Sequence, residues 1–147
     1  MGFDQDFLIQ DISLDGFEIV KGQYFSKKTE PAMTMWNTAV SFNSATFSAF
    51  GNCECIQIMV NNAKKQIIIK PSNSKEENTI NWRKRPSEPM YCRLECALFT
   101  RRLFEAWKLD DACRYRMTGK LVQYQEKLMI LFSFQNSETW KGKKLLR

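Results

Sequence analysis

Histidine is absent from all 147 residues of this chain, and glycine is scarce. The lack of histidine excludes Ser-His-Asp and Cys-His hydrolase sites and every histidine-ligated metal centre. The six glycines never fall in the G-x-x-x-x-G-K or G-x-G-x-x-G order that cradles phosphate. Carboxylate pairs such as Glu76/Glu77 and Asp110/Asp111 lie in polar stretches, where solvated side chains are more common than a general acid and base. We therefore predict that the chain is not an enzyme and has no cofactor.

Long apolar runs and an export signal are also missing. No run reaches the roughly 18 apolar residues that cross a bilayer. The first residues, MGFDQDFLIQD, are acidic where a signal peptide carries positive charge. The sequence thus predicts a soluble, cytoplasmic protein without a membrane partner.

Cysteine occurs five times, an odd count without an export signal, which favours reduced, buried thiols over a disulfide framework. The spacings are C-x-C in NCEC and C-x-x-x-C in CRLEC, with no C-x-x-C knuckle. Four thiolates could hold zinc, but without a knuckle or a histidine we predict no metal site. The cysteines are Cys53, Cys55, Cys92, Cys96 and Cys113.

Charge is distributed unevenly along the chain. Residues 1–20 hold five carboxylates and no cation, whereas residues 21–147 hold the other eleven carboxylates and all 22 cations, a net charge of +11. Such a basic body attracts polyanions. The alternative is a solvated surface kept soluble by its charge. The acidic leader is predicted to dock over the basic face or to stay loose.

The first half of the chain shows a strand, helix, strand, strand pattern in VSFNSATFSAFGNCECIQIMVNNAKKQIIIKP. We predict a strand at Ala39–Phe42 and a short helix capped by Asn43 or Ser44 and ended by Gly51. A strand through CIQIMV, a turn at NNAKK and a strand at QIIIKP follow. Upstream, FEIVKGQYFSK and AMTMWNTAVSFN are typical of strands.

The second half repeats this order from MYCRLECALFTRRLFEAWKLDDACRYRMTGKLVQYQEKLMILFSF. A strand precedes a longer helix, a turn follows at 109–111, and CRYRMTGKL and KLMILFSF form a closing hairpin. The two halves align with Cys55 over Cys113 and Met59 over Met117. The side chains predicted on the inner side of the helix are Leu98, Phe99, Leu103, Ala106 and Trp107.

These patterns predict an α+β fold. Two β-α-β-β half-repeats close a small barrel-like antiparallel sheet, because neither hairpin can bury both of its faces alone. The predicted boundaries are an acidic arm at 1–15 and a single domain at 16–147, built of half-repeats at 32–71 and 90–135 that a basic linker at 72–89 joins.

The first half resembles the AbrB and MazE-like DNA-binding module over roughly 30 residues, in its apolar positions and its terminal proline. The resemblance implies a barrel closed by exchanged hairpins that presents cations to DNA. Two copies in one chain would let a monomer close it, although a homodimer remains an alternative. Asn52-Cys53-Glu54 replaces the Gly-Asp of the family, and the second helix is longer. The whole chain also looks like small phage and mobile-element proteins, some of which inhibit CRISPR nucleases.

A basic linker carries the first candidate nucleic-acid contact. In NWRKRP an aromatic ring precedes three consecutive cations, and the prolines keep the segment extended. It is either an arm lying along a nucleic-acid backbone or a solvated strap whose tryptophan packs on the barrel.

Further cations are predicted at turns and on regular elements. Lys64 and Lys65 are placed at the first hairpin tip and Lys120 at the second. Arg114 and Arg116 alternate with apolar residues along a strand, which predicts one shared face that contacts phosphate or pairs with Asp110, Asp111 or the acidic arm. The tail TWKGKKLLR adds four cations around a tryptophan and is expected to fray. The predicted nucleic-acid-binding residues are Lys64, Lys65, Trp82, Arg83, Lys84, Arg85, Arg101, Arg102, Arg114, Arg116 and Lys120.

The sequence thus predicts a nucleic-acid-binding regulator of a phage or mobile element, which binds DNA rather than RNA mainly through phosphates. The first alternative is an inhibitor of a host defence nucleoprotein such as a CRISPR-Cas effector. A protein-interaction module without nucleic acid is the second.

Overall fold

A nine-stranded antiparallel sheet dominates the computed structural model of the chain, which describes residues 9–20, 30–82 and 91–147. Two helices accompany it, in agreement with the predicted α+β class. The elements of the first half are β1 (Ala32–Met35), β2 (Ala39–Asn43), α1 (Ser44–Ala49), β3 (Cys55–Asn61), β4 (Gln66–Ser72) and β5 (Ile80–Asn81). Those of the second half are β6 (Tyr91–Glu95), α2 (Ala97–Trp107), β7 (Arg114–Tyr124), β8 (Lys127–Lys141) and β9 (Lys144–Leu145).

The sheet is curled into a half-barrel. Its strand order is β5-β3-β4-β8-β7-β1-β2-β6, with β9 paired to β8. Within the described ranges no ladder joins the two end strands, β5 and β6, so the predicted barrel-like curvature is present without closure. In this order, blocks of strands from the two halves follow one another: β5-β3-β4, then β8-β7, then β1-β2, then β6. Both halves therefore contribute to one sheet.

The concave face of the sheet carries the hydrophobic core. Met33 and Met35 of β1 lie opposite Met117 and Tyr115 of β7, and all four side chains are buried. Because side chains alternate between the two faces of a strand, residues directly opposite each other share a face. The same core includes Ile67 and Ile69 of β4 and Ile130 and Phe132 of β8.

Helix α1 begins where the sequence predicts. The Asn43 Oδ1 accepts the backbone N–H of Thr46 at 3.1 Å, which satisfies an amide that the first helical turn leaves unpaired. The same oxygen accepts the Ala32 N–H at 3.0 Å, and the Asn43 Nδ2 donates to the Glu30 carbonyl at 2.9 Å. One capping side chain therefore fixes both the start of α1 and the path of the chain into β1.

Helix α2 packs on the concave face through an i, i+3, i+4, i+7 stripe: Thr100, Leu103, Phe104 and Trp107 are its buried residues. The predictions for Leu103 and Trp107 are confirmed, and Phe99 packs partly buried against the core. The inward placement of Leu98 and Ala106 is wrong: both are exposed, and Thr100 and Phe104 occupy the inner side. The Thr100 hydroxyl donates to the Asn37 carbonyl at 2.8 Å, a contact that local apolar periodicity does not reveal.

The closing hairpin of β7 and β8 is longer than the sequence predicts. Its turn lies at Gln125 and Glu126, which both have positive φ, the conformation of a type I′ turn. Lys120 is therefore not at the hairpin tip: it lies within β7, opposite Leu131. Gly119 precedes it at a register shift, where the backbone approaches Ile130 and Phe132 closely.

The element order β2-α1-β3-β4 and β6-α2-β7-β8 agrees with the predicted order of the two halves. That the halves are copies of one unit stays a prediction. The aligned methionines have different surroundings, since Met59 is 41% exposed and Met117 is fully buried.

Two predicted boundaries require correction. The segment at 72–89 is not wholly a linker, since β5 pairs with β3. The second unit continues past 135 through β8 and β9. Residues 17–20 of the predicted FEIVKGQYFSK strand form no strand, and its remainder lies outside the described residues.

Replacement of Gly119 by alanine tests the close approach in β7. A Cβ atom there would lie 2.6 Å from the Ile130 Cγ2 and 2.8 Å from the Phe132 ring, so the core must shift. We expect Gly119→Ala to lower the free energy of unfolding by about 1–3 kcal/mol in denaturant titrations. Ser137→Ala, on the same hairpin, should cost under about 0.5 kcal/mol. Equal stability of the two variants would contradict this packing.

Candidate nucleic-acid interface

Trp82 is a core residue rather than a nucleic-acid contact, which corrects the sequence-based assignment. Its side chain is 0% exposed and packs against the Phe47 ring with 4.1 Å between centroids and against the Phe42 ring at 5.3 Å. The indole Nε1 donates to the Cys53 carbonyl at 2.8 Å. A fully buried ring cannot stack on a base. Trp82 therefore fits the alternative prediction, in which the tryptophan of the segment packs on the sheet. Arg83, Lys84 and Arg85 lie outside the described residues.

Arg114 and Arg116 lie together on the convex face of β7, as the alternation in the sequence predicts. The residues between and after them, Tyr115 and Met117, are buried on the concave face. The guanidinium of Arg114 stacks over the Trp140 ring at 5.1 Å and donates to the Gly142 carbonyl. Arg116 lies opposite Glu138 of β8. These contacts orient both arginines on the outer side of the sheet.

The C-terminal tail is folded, and this part of the site was missed by the sequence prediction of a frayed end. β8 turns at Gly142, which has a φ of +59°, and returns as β9, with Trp140 opposite Leu145. The Leu146 N–H donates to the Thr139 carbonyl at 2.7 Å and holds the last residues against β8. Gly142 between two lysines is a turn signal that the sequence contained.

We call the resulting cluster the basic corner. The tail hairpin brings its exposed cations to the same end of the sheet as the two arginines of β7. Trp140 shares the face of the arginines, whereas Lys141 and Lys144, which pair with each other, lie on the opposite face. One carboxylate, Glu138, lies on the same strands, and its Oε2 accepts the Trp140 Nε1–H at 3.1 Å. The ring of Trp140 is only partly buried. The basic corner comprises Arg114, Arg116, Lys141, Lys143, Lys144 and Arg147.

The predicted ion-pair alternative for these arginines is not what the described ranges show. The ion pair recorded there joins Arg93 to Glu95 at 3.0 Å between charged atoms. Asp110 instead organises the turn before β7: its carboxylate accepts the Ala112 N–H, and its own N–H donates to the Tyr115 hydroxyl, both at 2.8 Å. Arg114 thus lies over the Trp140 ring and bonds to a backbone carbonyl, and Arg116 lies opposite Glu138.

The other predicted cations do not join the basic corner. Arg101 and Arg102 are exposed on α2, whose opposite side contacts Tyr115 on the concave face through Phe104, with 5.7 Å between ring centroids. The sheet therefore separates them from Arg114 and Arg116.

Lys64 and Lys65 lie in the β3–β4 turn as predicted, with Lys64 exposed and the Lys65 Nζ 5.4 Å from the centroid of the Phe134 ring. Lys120 is exposed within β7. The structure thus divides most of the predicted set between separate surfaces, whereas Lys120 shares the outer face of β7 with Arg114 and Arg116, since Gly119 faces the core.

Four cysteines are free thiols: Cys55 and Cys113 are buried, and Cys53 and Cys96 are half-buried. Burial is the main cause that raises the pKa of Cys53, Cys96 and Cys113 above the usual thiol value, and the neighbouring Cys55 raises that of Cys53 further. A raised pKa keeps a thiol protonated at neutral pH and lowers its reactivity as a nucleophile. Within the described ranges, no three cysteine or carboxylate side chains come together as a candidate metal site.

Neither helix in the described part of the chain is long and apolar enough to cross a membrane. Comparison with protein-family models, with curated proteins and with solved structures finds no match to this chain. The resemblance to swapped-hairpin barrel proteins therefore stays a prediction.

Truncation of Trp82 distinguishes a core role from a nucleic-acid contact. We expect Trp82→Ala to lower the free energy of unfolding by about 3–5 kcal/mol, because it opens a cavity between Phe42 and Phe47. Trp82→Phe retains an aromatic filler, so it should remain folded and bind DNA as the parent chain does in a fluorescence anisotropy titration. A folded Trp82→Phe variant with clearly weakened DNA binding would show that the indole does contact the ligand.

Proposed function

We propose that this protein binds nucleic acid, DNA in the first instance, through phosphate contacts made by the basic corner. The observation that carries the proposal is the concentration of six cations at one end of the sheet. Glu138 is the carboxylate on the same strands, and Asp110 and Asp111 lie in the turn before β7. Clustered cations attract phosphates and release condensed counterions, which supplies affinity without base recognition.

The geometry of the corner suits phosphate more than a single carboxylate partner. Arg114 is held by its stacking on Trp140 and by its bond to the Gly142 carbonyl, so its remaining donors point in a defined direction. A guanidinium fixed in this way can donate two parallel hydrogen bonds to one phosphate. The lysines of the neighbouring turn add flexible point charges.

The partly exposed Trp140 ring offers a second mode of contact. Indole rings stack on unpaired bases with little dependence on sequence. The Glu138 carboxylate orients this ring through the bond to Nε1. Single-stranded DNA is therefore the ligand to compare with duplex DNA.

The biological setting that accompanies this proposal is a regulator encoded by a phage or mobile element. Inhibition of a CRISPR-Cas effector is the alternative that uses the same surface. A plasmid interference assay with a Cas nuclease separates the two, because a DNA-binding regulator leaves cleavage unchanged whereas an inhibitor restores plasmid survival.

The salt dependence of binding tests the proposed surface. If the six cations contact phosphates, affinity for duplex DNA should fall on the order of a thousandfold between about 50 and 200 mM salt. We expect Lys143→Ala/Lys144→Ala to reduce the slope of log affinity against log salt by about 2, since each lost phosphate contact removes about one counterion.

The matched control is Lys75→Ala, an exposed lysine in the turn between β4 and β5. This variant should keep the parental slope in the same titration. Identical slopes for the parent chain and the double variant would remove the basic corner from the interface.

A further inference from the structure

The leader at residues 9–20 leaves large apolar side chains in water. Ile19 is 98% exposed and Ile9 94%, and the least exposed of the set, Val20, is still 57% exposed. Three carboxylates and no cation accompany them in this stretch. A segment this rich in unburied apolar surface gains free energy from any complementary groove, and its charge selects a groove with a cationic rim.

A turn within the leader fixes part of its backbone conformation. The Phe17 N–H donates to the Leu14 carbonyl at 3.1 Å, and Gly16 between them has a φ of +86°, which favours glycine. The Ser13 hydroxyl accepts the Asp15 N–H at 3.2 Å. The turn brings the backbones of Leu14 and Phe17 close together with Asp15 between them, and both apolar side chains remain exposed, at 71% and 74%.

A groove of matching character lies at the end of α1. The β4–β8 ladder ends at Ile69 and Ile130, so the two strands separate beyond this pair and leave a groove with a volume of about 400 Å³. Its apolar lining comes from the end of α1 and from the separating strands: Ala49, Phe50, Pro71, Leu128 and Met129.

The rim of this groove is mainly cationic. Lys70 and Lys127 line it from the two strands, and Glu76 contributes one carboxylate. Leu128, one of the lining residues, is 40% exposed although the neighbouring Met129 is buried. An acidic apolar peptide therefore complements both the lining and the rim.

We infer that this groove is the docking site of the chain's own leader. In the docked state, which differs from the exposed arrangement in the structure, Leu14 and Phe17 enter the apolar lining. The carboxylates of Asp15 and Glu18 then lie against Lys70 and Lys127. This inference does not depend on nucleic-acid binding.

The path of the chain favours the leader of the same molecule over that of a second copy. The Glu30 carbonyl is tied to Asn43 at the start of α1, and the groove lies at the other end of this six-residue helix, about 9 Å away. The nine residues between Val20 and Glu30 give ten Cα–Cα steps, which can span about 33 Å. A segment tethered this near has an effective concentration that a second copy reaches only at high protein concentration.

The docked leader would lie far from the basic corner. Arg114 and Tyr124 begin and end β7, and the hairpin end of this strand is about 33 Å from the arginine end. The groove lies toward the hairpin end, where Leu128 pairs with Gln123. The leader thus covers a different surface from the one predicted from charge alone, and it leaves the proposed phosphate contacts open.

Photo-crosslinking in the full chain tests this inference. The photoreactive residue p-benzoylphenylalanine replaces Phe17, and crosslinked peptides are identified by mass spectrometry. We expect crosslinks within one chain to 49–50 or 127–129. Lys70→Glu/Lys127→Glu should lower their yield about fivefold or more, because the rim then repels the leader. Addition of Asp15→Lys/Glu18→Lys should restore the yield.

The matched control is Lys64→Glu/Lys144→Glu, which makes the same change of charge at exposed lysines outside the groove and should leave the yield unchanged. Crosslinks to the basic corner, crosslinks mainly between two chains, or no crosslink at all would each overturn the inference. Because the readout involves no nucleic acid, its failure is distinguishable from a failure of DNA binding.

Discussion

The ladder between β4 and β8 is the contact on which the rest of the structure depends, because it joins the hairpin of the first half to that of the second. Ile67 pairs with Phe132 and Ile69 with Ile130, and all four side chains are fully buried. An isolated two-stranded hairpin is marginally stable in water. Each hairpin therefore needs the other, and β1 and β2 reinforce this dependence by pairing with β7 and β6.

The parts of the fold that the sequence predicts are those with strong local signals. Helix α1 has a capping asparagine at its start and a left-handed glycine shortly after its end, and the NNAKK turn separates two apolar strands. The β7–β8 turn escaped prediction because Gln125 and Glu126 adopt positive φ without glycine or asparagine. Trp82 was misassigned because its basic neighbours in sequence do not reveal that Phe42 and Phe47 enclose its ring.

The candidate site was predictable only in part, because the sequence does not show on which surface of the fold each charged side chain lies. Period-two alternation placed Arg114 and Arg116 together correctly. The surface on which Arg101 and Arg102 lie depends on which side of α2 packs against the sheet. Long-range contacts, such as that between Phe104 and Tyr115, determine that side. The turn at Gly142 brings the tail lysines to the same end of the sheet, because β9 pairs with β8. The sequence alone does not show this pairing.

Equilibrium unfolding observed from both halves tests the shared core most directly. One variant retains Trp82 as its only tryptophan and a second retains Trp107, with phenylalanine at the other tryptophan positions. For each variant, fluorescence and far-ultraviolet circular dichroism are followed in a guanidinium chloride titration. A single shared core predicts one transition per variant, at the same midpoint by both probes. A Trp82 transition clearly separated from the loss of sheet signal, or two transitions in either variant, would show that the halves fold independently and would contradict the account.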